Sequence, residues 1–264
     1  MKTIKIMLRL LSLVVIIILA GCAENILQLE DPNSPTDETF FRTEAELEIA
    51  VAGVYGPLYA TGNVPLPVWM DHLSDIGYAR TPLSHWELQE LGTGLIVSTT
   101  TGVDALWSNF YIGIQRANNL LEKMVRAQPV TDPDRYNEIR GEALFLRAYY
   151  YHILVELYGD IPHRLTVDTS LDDLVLPRES KAKIVSGLLA DLEEASQLLP
   201  DAWGNSERGR PSANAANALR ARIALFNSEF NIAEQASLAV ITNRTHSLDP
   251  DFESMLTDAA SLSL

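Results

Sequence analysis

The chain holds one cysteine, Cys22, so no intramolecular disulfide can form. Positive charge is scarce: 20 Lys and Arg stand against 35 Asp and Glu, giving a formal net charge of −15 and a pI near 4.7. Such a surface would repel phosphate, which argues against nucleic acid as a partner. Catalytic signatures are missing as well. There is no G-x-S-x-G, no H-E-x-x-H, no P-loop and no glycine-rich dinucleotide turn. The five histidines, at 72, 85, 152, 163 and 246, show no metal-ligand spacing. Carboxylates are too abundant for a glycosidase-type pair to be picked out from their presence. No metal and no cofactor is expected, and the reading is of a protein that is not an enzyme. With 47% apolar and 21% charged residues the composition is nonetheless that of an ordinary globular chain.

What is present begins with the N-terminus. Lys2, Lys5 and Arg9 precede an apolar run from Leu10 to Ala20, eleven residues, where a spanning helix needs about 20. Leu19-Ala20-Gly21-Cys22 then reads as a lipobox. The expectation is a signal peptide over 1–21, lipidation at Cys22, and a protein anchored to a membrane without spanning it. Each buried acyl methylene contributes about 0.8 kcal/mol, so several chains on one cysteine hold durably. Ala23-Glu24-Asn25 follows, with no aspartate directly after the cysteine. Residues 22–42, with Asp31-Pro32-Asn33-Ser34-Pro35, favour an extended tether.

From 43 on, helical periodicity dominates. Thr43 and Glu46 form a capping box for a helix with Leu47, Val51, Val54 and Leu58 on one face, ending near Gly62. A second helix starts at Asp104, with Trp107, Tyr111, Ile114, Leu121 and Val125 on a face interrupted by Asn118, which must bond a neighbouring loop. The chain is organised around a third helix. It is capped by Asp132-Pro133, is apolar on both sides through Ile139, Ala143, Leu144, Leu146, Ala148, Tyr150, Tyr151 and Ile153, and stops at Gly159. Buried on both sides, it must lie between neighbours; its His152 is expected to be a satisfied core histidine. Further helices carry Ile184, Leu188, Leu192, Ala195 and Leu199; then the stretch from Ser212 to Phe226; then Phe230, Ala233, Ala236 and Val240. Short turns make the last two a hairpin, and the alanines at 213, 215, 216, 218 and 221 allow the close approach found in tetratricopeptide stacks, although no clean 34-residue repeat aligns.

Between these helices, residues 60–103 lose periodicity and gather Gly, Pro, Thr and Ser. Sugar sites combine flat apolar faces with hydrogen-bonding side chains. This stretch supplies Trp69, Asp75, Tyr78 and Trp86, with Asn63 and Gln89 at its ends.

The run R-G-E-A-L-F-L-R-A-Y-Y-Y-H-I-L-V-E-L-Y-G-D-I-P, Arg140 to Pro162, resembles the signature of the SusD/RagB family of nutrient-binding outer-membrane lipoproteins. Other motifs extend the resemblance over residues 22 to about 256. They are the leucine-acidic-proline tether, Trp107-x-x-x-Tyr111-x-x-Ile114-x-x-x-Asn118, Asp191-Leu192-Glu193-x-Ala195 before Leu199-Pro200, and Ser74-Asp75 in the loop.

The resemblance implies an all-α SusD-like fold with degenerate tetratricopeptide-type hairpins and a long irregular loop region, over a domain at 43–264. It implies a surface lipoprotein of the outer membrane that binds oligosaccharide and delivers it to a SusC-like TonB-dependent transporter. The glycan contacts would fall among Trp69, Asp75, Tyr78 and Trp86. That family is about twice this length, which implies a domain incomplete at its C-terminus. Two other readings stay open at this point: a tetratricopeptide-type protein-interaction scaffold at the outer membrane, and a surface glycoside hydrolase.

Overall fold

The computed structural model describes residues 39–59, 66–74, 76–77, 92–97, 100–167, 175–245 and 247. The expected signal peptide, Cys22, nearly all of the tether and the tail from 248 lie outside the described residues. Helix α1, Glu44–Tyr55, starts as its capping box predicts. Thr43 Oγ1 accepts from the Glu46 amide at 3.3 Å, and the Glu46 carboxylate accepts from the Thr43 amide at 2.9 Å. Leu47, Val51 and Val54 form its buried face. It stops before the expected Gly62 because Pro57 has no N–H to offer the Gly53 carbonyl. That carbonyl accepts from Arg116 Nη1 at 2.8 Å instead, and the chain tightens into a 3-10 turn over Gly56–Tyr59.

After the short α2, Leu66–Leu73, comes α3, Thr101–Lys123, which begins three residues before the expected Asp104. Its buried face is Leu106, Phe110, Ile114, Ala117 and Leu120. The expected stripe through Trp107, Tyr111 and Leu121 is only half-buried, and Val125 is exposed in the 3-10 turn Met124–Arg126. Two apolar stripes run side by side here and share Ile114; the local spacing fits both, and only neighbouring helices decide between them. Gly113 lies on the winning side. A Cβ there would sit 2.4 Å from the Tyr150 ring, so the glycine lets the next helix come close.

That next helix, α4, Pro133–Tyr158, is capped by Asp132, whose Oδ1 accepts from the amides of Asp134 and Arg135 at 3.0 and 3.1 Å. It ends at Gly159, φ 73°. At about 1.5 Å per residue its 26 residues span roughly 39 Å. Strand β1, Ile161–Pro162, then pairs antiparallel with β2, Arg178–Glu179, Ile161 opposite Glu179. This returns the chain to α5, Lys181–Leu198, which buries Ile184, Leu188, Leu192 and Ala195, with Leu199 just beyond its end. Ser212 caps α6, Ala213–Phe226, by accepting from the Ala215 amide at 3.2 Å, and α7, Phe230–Asn243, follows.

Helices α4 to α7 each pack on the one before, and α1 lies against α3 and α4. The result is the stacked-hairpin, all-α arrangement that the periodicity predicts. Residues from Phe41 onward belong to one compact unit. No described helix is long and apolar enough to cross a membrane.

Candidate functional site

Of the residues singled out for sugar contact, Trp69 is described. It lies in α2 with 4% of its surface exposed. Its indole is pressed against Gly102 in the first turn of α3, where a Cβ would come within 1.7 Å of a ring carbon. The ring thereby fixes the entry of the aperiodic stretch to the helical body. Further along, His72 Nδ1 donates to the Val68 carbonyl at 2.8 Å. Ser74 Oγ donates to the Asp71 carbonyl at 2.7 Å and accepts from the Ile76 amide at 3.3 Å, making a local turn. Asp75, Tyr78, Trp86, Asn63 and Gln89 lie outside the described residues, as does Cys22.

Sequence reading missed two charged networks on α4. Glu142 is fully buried, and a carboxylate stays ionised there only if it is paired and hydrogen-bonded. It accepts from Tyr55 Oη at 2.6 Å, Arg135 Nη2 at 3.0 Å and Arg210 Nη1 at 2.9 Å. The two arginines also share Glu48, at 2.5 and 3.2 Å, and both guanidinium groups lie over the Trp203 indole at 5.5 and 5.7 Å from its centre.

Burial alone would raise the Glu48 pKa, yet hydrogen bonds and charge from Arg135 and Arg210 hold it below its ordinary value. Burial and the Glu142 charge push the Tyr55 phenol up. Burial pulls the Arg135 guanidinium down, but Glu48, Glu138 and Glu142 outweigh it and raise its pKa. Tyr55, Glu48 and Arg135 are thus each held in one protonation state near neutrality. The cluster clamps α1, α4 and the segment before α6 together.

The second network ties α3, α4 and α5. Arg147 makes a bidentate pair with Asp191, 2.8 Å at each oxygen, and donates to Asn118 Oδ1 at 3.0 Å. Asn118 Nδ2 donates to the Arg164 carbonyl at 2.9 Å, the expected bridge to a neighbouring loop. Tyr151 Oη donates to that same carbonyl at 2.7 Å. One signal could have found both networks: Glu142 and Arg147 are charged residues inside a helix apolar all round, and each must therefore have a buried partner. His152 departs from expectation. It is 7% exposed, but its Nδ1 has no hydrogen-bond partner, and burial lowers its pKa.

Among the described residues, several open spaces border this framework. A cavity of about 760 Å³ is walled by Glu122, His163, Arg164, Glu179 and Lys183 together with Leu165 and Leu176. A groove of about 560 Å³ between α5, α6 and α7 is lined by Lys181, Glu193, Arg220 and Asn227. An apolar cleft of about 510 Å³ lies where the aperiodic stretch leaves α1, between Tyr59, Pro67, Phe145 and Tyr149. Among the described residues, no group of three or more His, Cys, Asp or Glu side chains could hold a metal ion.

Residues 30–225 match the model of a SusD-like family described as "Starch-binding associating with outer membrane". The chain is 27% identical to SusD-like protein P2 of Formosa agariphila over 92% of its own length and 48% of that protein. Among solved structures it resembles a laminarin-binding SusD-like protein, with TM-score 0.74 and 23% identity over 84% of this chain and 50% of that one. It also resembles surface glycan-binding protein A from Bacteroides uniformis, with TM-score 0.72 and 20% identity over 84% and 51% of the respective chains. The chain spans a little under half the length of the curated relatives it matches.

Proposed function

Because the chain belongs to the SusD-like family, we propose that it is a cell-surface, lipid-anchored glycan-binding protein. It captures oligosaccharide and passes it to a SusC-like TonB-dependent transporter in the outer membrane. The family match over residues 30–225 carries this reading. The naming of one solved relative for laminarin binding supports it. Cys22 is the anchor, and the protein binds without turnover. Its sugar contacts come from the stretch 63–89, rooted by Trp69, through Asp75, Tyr78 and Trp86.

The test is calorimetry of the full chain against a glycan panel that includes laminarin, with product analysis on the same samples. Binding without products is expected. A tryptophan stacked on a sugar contributes about 1–3 kcal/mol, so Trp86→Ala should weaken binding roughly 5- to 150-fold. Asp75→Ala should weaken it by removing charge-assisted hydrogen bonds to hydroxyls. Trp107→Ala, whose ring packs at 4.9 Å on Tyr111 and 5.0 Å on Tyr158, should lower the melting temperature first. Unchanged affinity in both loop variants would move the site elsewhere. The anchor is checked separately: fatty-acid labelling that survives Cys22→Ser would remove it from the proposal.

The groove between α5, α6 and α7 favours a second reading, a helical-repeat scaffold for a protein partner. That reading predicts no response to any glycan in the panel.

A further inference from the structure

Helix α4 is closed on nearly every side. Between Gly141 and Val155 only Phe145, Tyr149 and Ile153 are more than slightly exposed, and they form one stripe at four-residue spacing. Phe145 and Tyr149 form a wall of the apolar cleft of about 510 Å³, with Leu66 and Pro67 from α2 and Tyr59 from the turn after α1. Tyr59 is 89% exposed. It also borders a second cavity of about 340 Å³, lined by Val51, Ala52 and Leu58 together with Tyr55 and Arg210.

The described tyrosines fall into two groups. Tyr55, Tyr111, Tyr150, Tyr151 and Tyr158 each donate a hydroxyl to a carboxylate or carbonyl of the protein, at 2.6 to 2.9 Å. Tyr59, Tyr136 and Tyr149 make no such bond among the described residues, and of these three Tyr59 and Tyr149 line the cleft. The cleft therefore offers two unused hydroxyls on otherwise apolar walls. Its lining includes Tyr59 and Leu66, the described residues on either side of 60–65 in the chain.

We infer that this cleft is a subsite for an aryl or acyl substituent carried by a saccharide, an inference that rests on the glycan-binding reading. An unsubstituted hexose has a hydroxyl on most of its carbons, and two phenols cannot satisfy them all. Each hydroxyl buried without a partner opposes binding. A flat apolar substituent meets the opposite balance. It gains contact with Tyr59, Phe145, Tyr149 and Pro67, while the sugar stays at the rim within reach of the tyrosine hydroxyls.

The full chain is titrated with p-nitrophenyl β-glucoside, methyl β-glucoside and p-nitrophenol, followed by saturation-transfer NMR and calorimetry. The aryl glycoside should bind at least about tenfold more tightly than either of the other two, with the strongest transfer to its ring protons. Tyr59→Ala, at an exposed position, should abolish most of that preference without changing the melting temperature. Tyr149→Phe keeps the ring and loses the hydroxyl, and should weaken the aryl glycoside alone.

Equal affinity for the aryl and methyl glycosides overturns the subsite, as does p-nitrophenol binding as tightly as its glycoside. A preference that survives Tyr59→Ala overturns it too. The glycan panel separates this from the broader reading. Panel binding with no aryl preference sinks the subsite alone, whereas an unresponsive panel sinks the oligosaccharide-binding reading even where Tyr59→Ala removes an aryl preference.

Discussion

Helices α4 and α7 are built on opposite principles. Helix α4 buries large side chains, Tyr150, Tyr151, Leu144, Leu146 and Leu154, together with Glu142 and Arg147. Helix α7 buries Ala233 and Ala236, while Phe230, Leu238 and Ile241 are 64%, 50% and 70% exposed. The difference follows from neighbours. Helix α4 packs against α1, α3, α5 and α6, so every side has something to fill, and its charges find partners on other elements. Helix α7 packs mainly on α6, whose facing positions are rich in alanine. There the small residues turn inward, where backbones approach closely, and the large ones are left out. An apolar residue at helical spacing thus goes inside only where a neighbour has room for it.

The comparison breaks most sharply at Glu142. Glu142→Ala takes the acceptor from the Tyr55 hydroxyl and leaves two half-buried guanidinium groups with Glu48 as the acceptor they still share. Breaking such a pair costs about 3–5 kcal/mol, a large part of the roughly 5–15 kcal/mol that holds a domain folded. Urea unfolding should show that loss, and a change below about 1 kcal/mol would mean the clamp does not hold α1 to α4.

A smaller effect tests the one imperfect position on α4. His152 faces Glu156, Arg222 and Lys181, and burial places its folded pKa below the ordinary 6.5. The unfolded chain therefore binds the proton more readily. The stability contributed by the neutral ring is present above pH 6.5 and is lost as pH falls through the folded value. His163, also lowered by burial, acts in the same direction. Glu48 and Glu156, held below 4.5, enter only at lower pH. Between about pH 6.5 and 5 stability should fall with a slope of at most about 1.4 kcal/mol per unit for each histidine, and His152→Leu should reduce that slope. Identical slopes in the two proteins would place the sensitivity elsewhere.

The smallest effect belongs to α7. Because Leu238 and Ile241 are exposed, the double change Leu238→Glu, Ile241→Glu should leave unfolding within about 0.5 kcal/mol of the parent. The apolar surface around Phe226, Phe230 and Ile241 should bind a hydrophobic dye in the parent and less of it in the variant. A variant that unfolds would show instead that this face is covered in solution.

Much of the fold was legible because its signals are local. Thr43 with Glu46, Asp132 with Pro133, Gly159 and Ser212 each act within one helical turn, and they begin or end helices where the sequence places them. The boundary of α1 was missed for a reason equally local, Pro57, but the partner that makes an early stop tolerable is Arg116 on another helix. The candidate site was less legible. Trp69 reads as a free aromatic in a loop, and only its packing on Gly102 shows that its ring is committed to the body. The Tyr59 and Tyr149 cleft joins residues 90 positions apart and left no periodic trace.

The sequence by itself determined the longer helices, the caps at Thr43, Asp132 and Ser212, and the family resemblance, because capping, periodicity and short motifs depend on residues a few positions apart. The tertiary structure decided which of two apolar stripes on α3 is buried, that Glu142 and Arg147 are the centres of ion clusters, and that the large residues of α7 face outward. Those outcomes depend on what lies across an interface. Burial is a relation between two surfaces, and a single helix carries the information for only one of them.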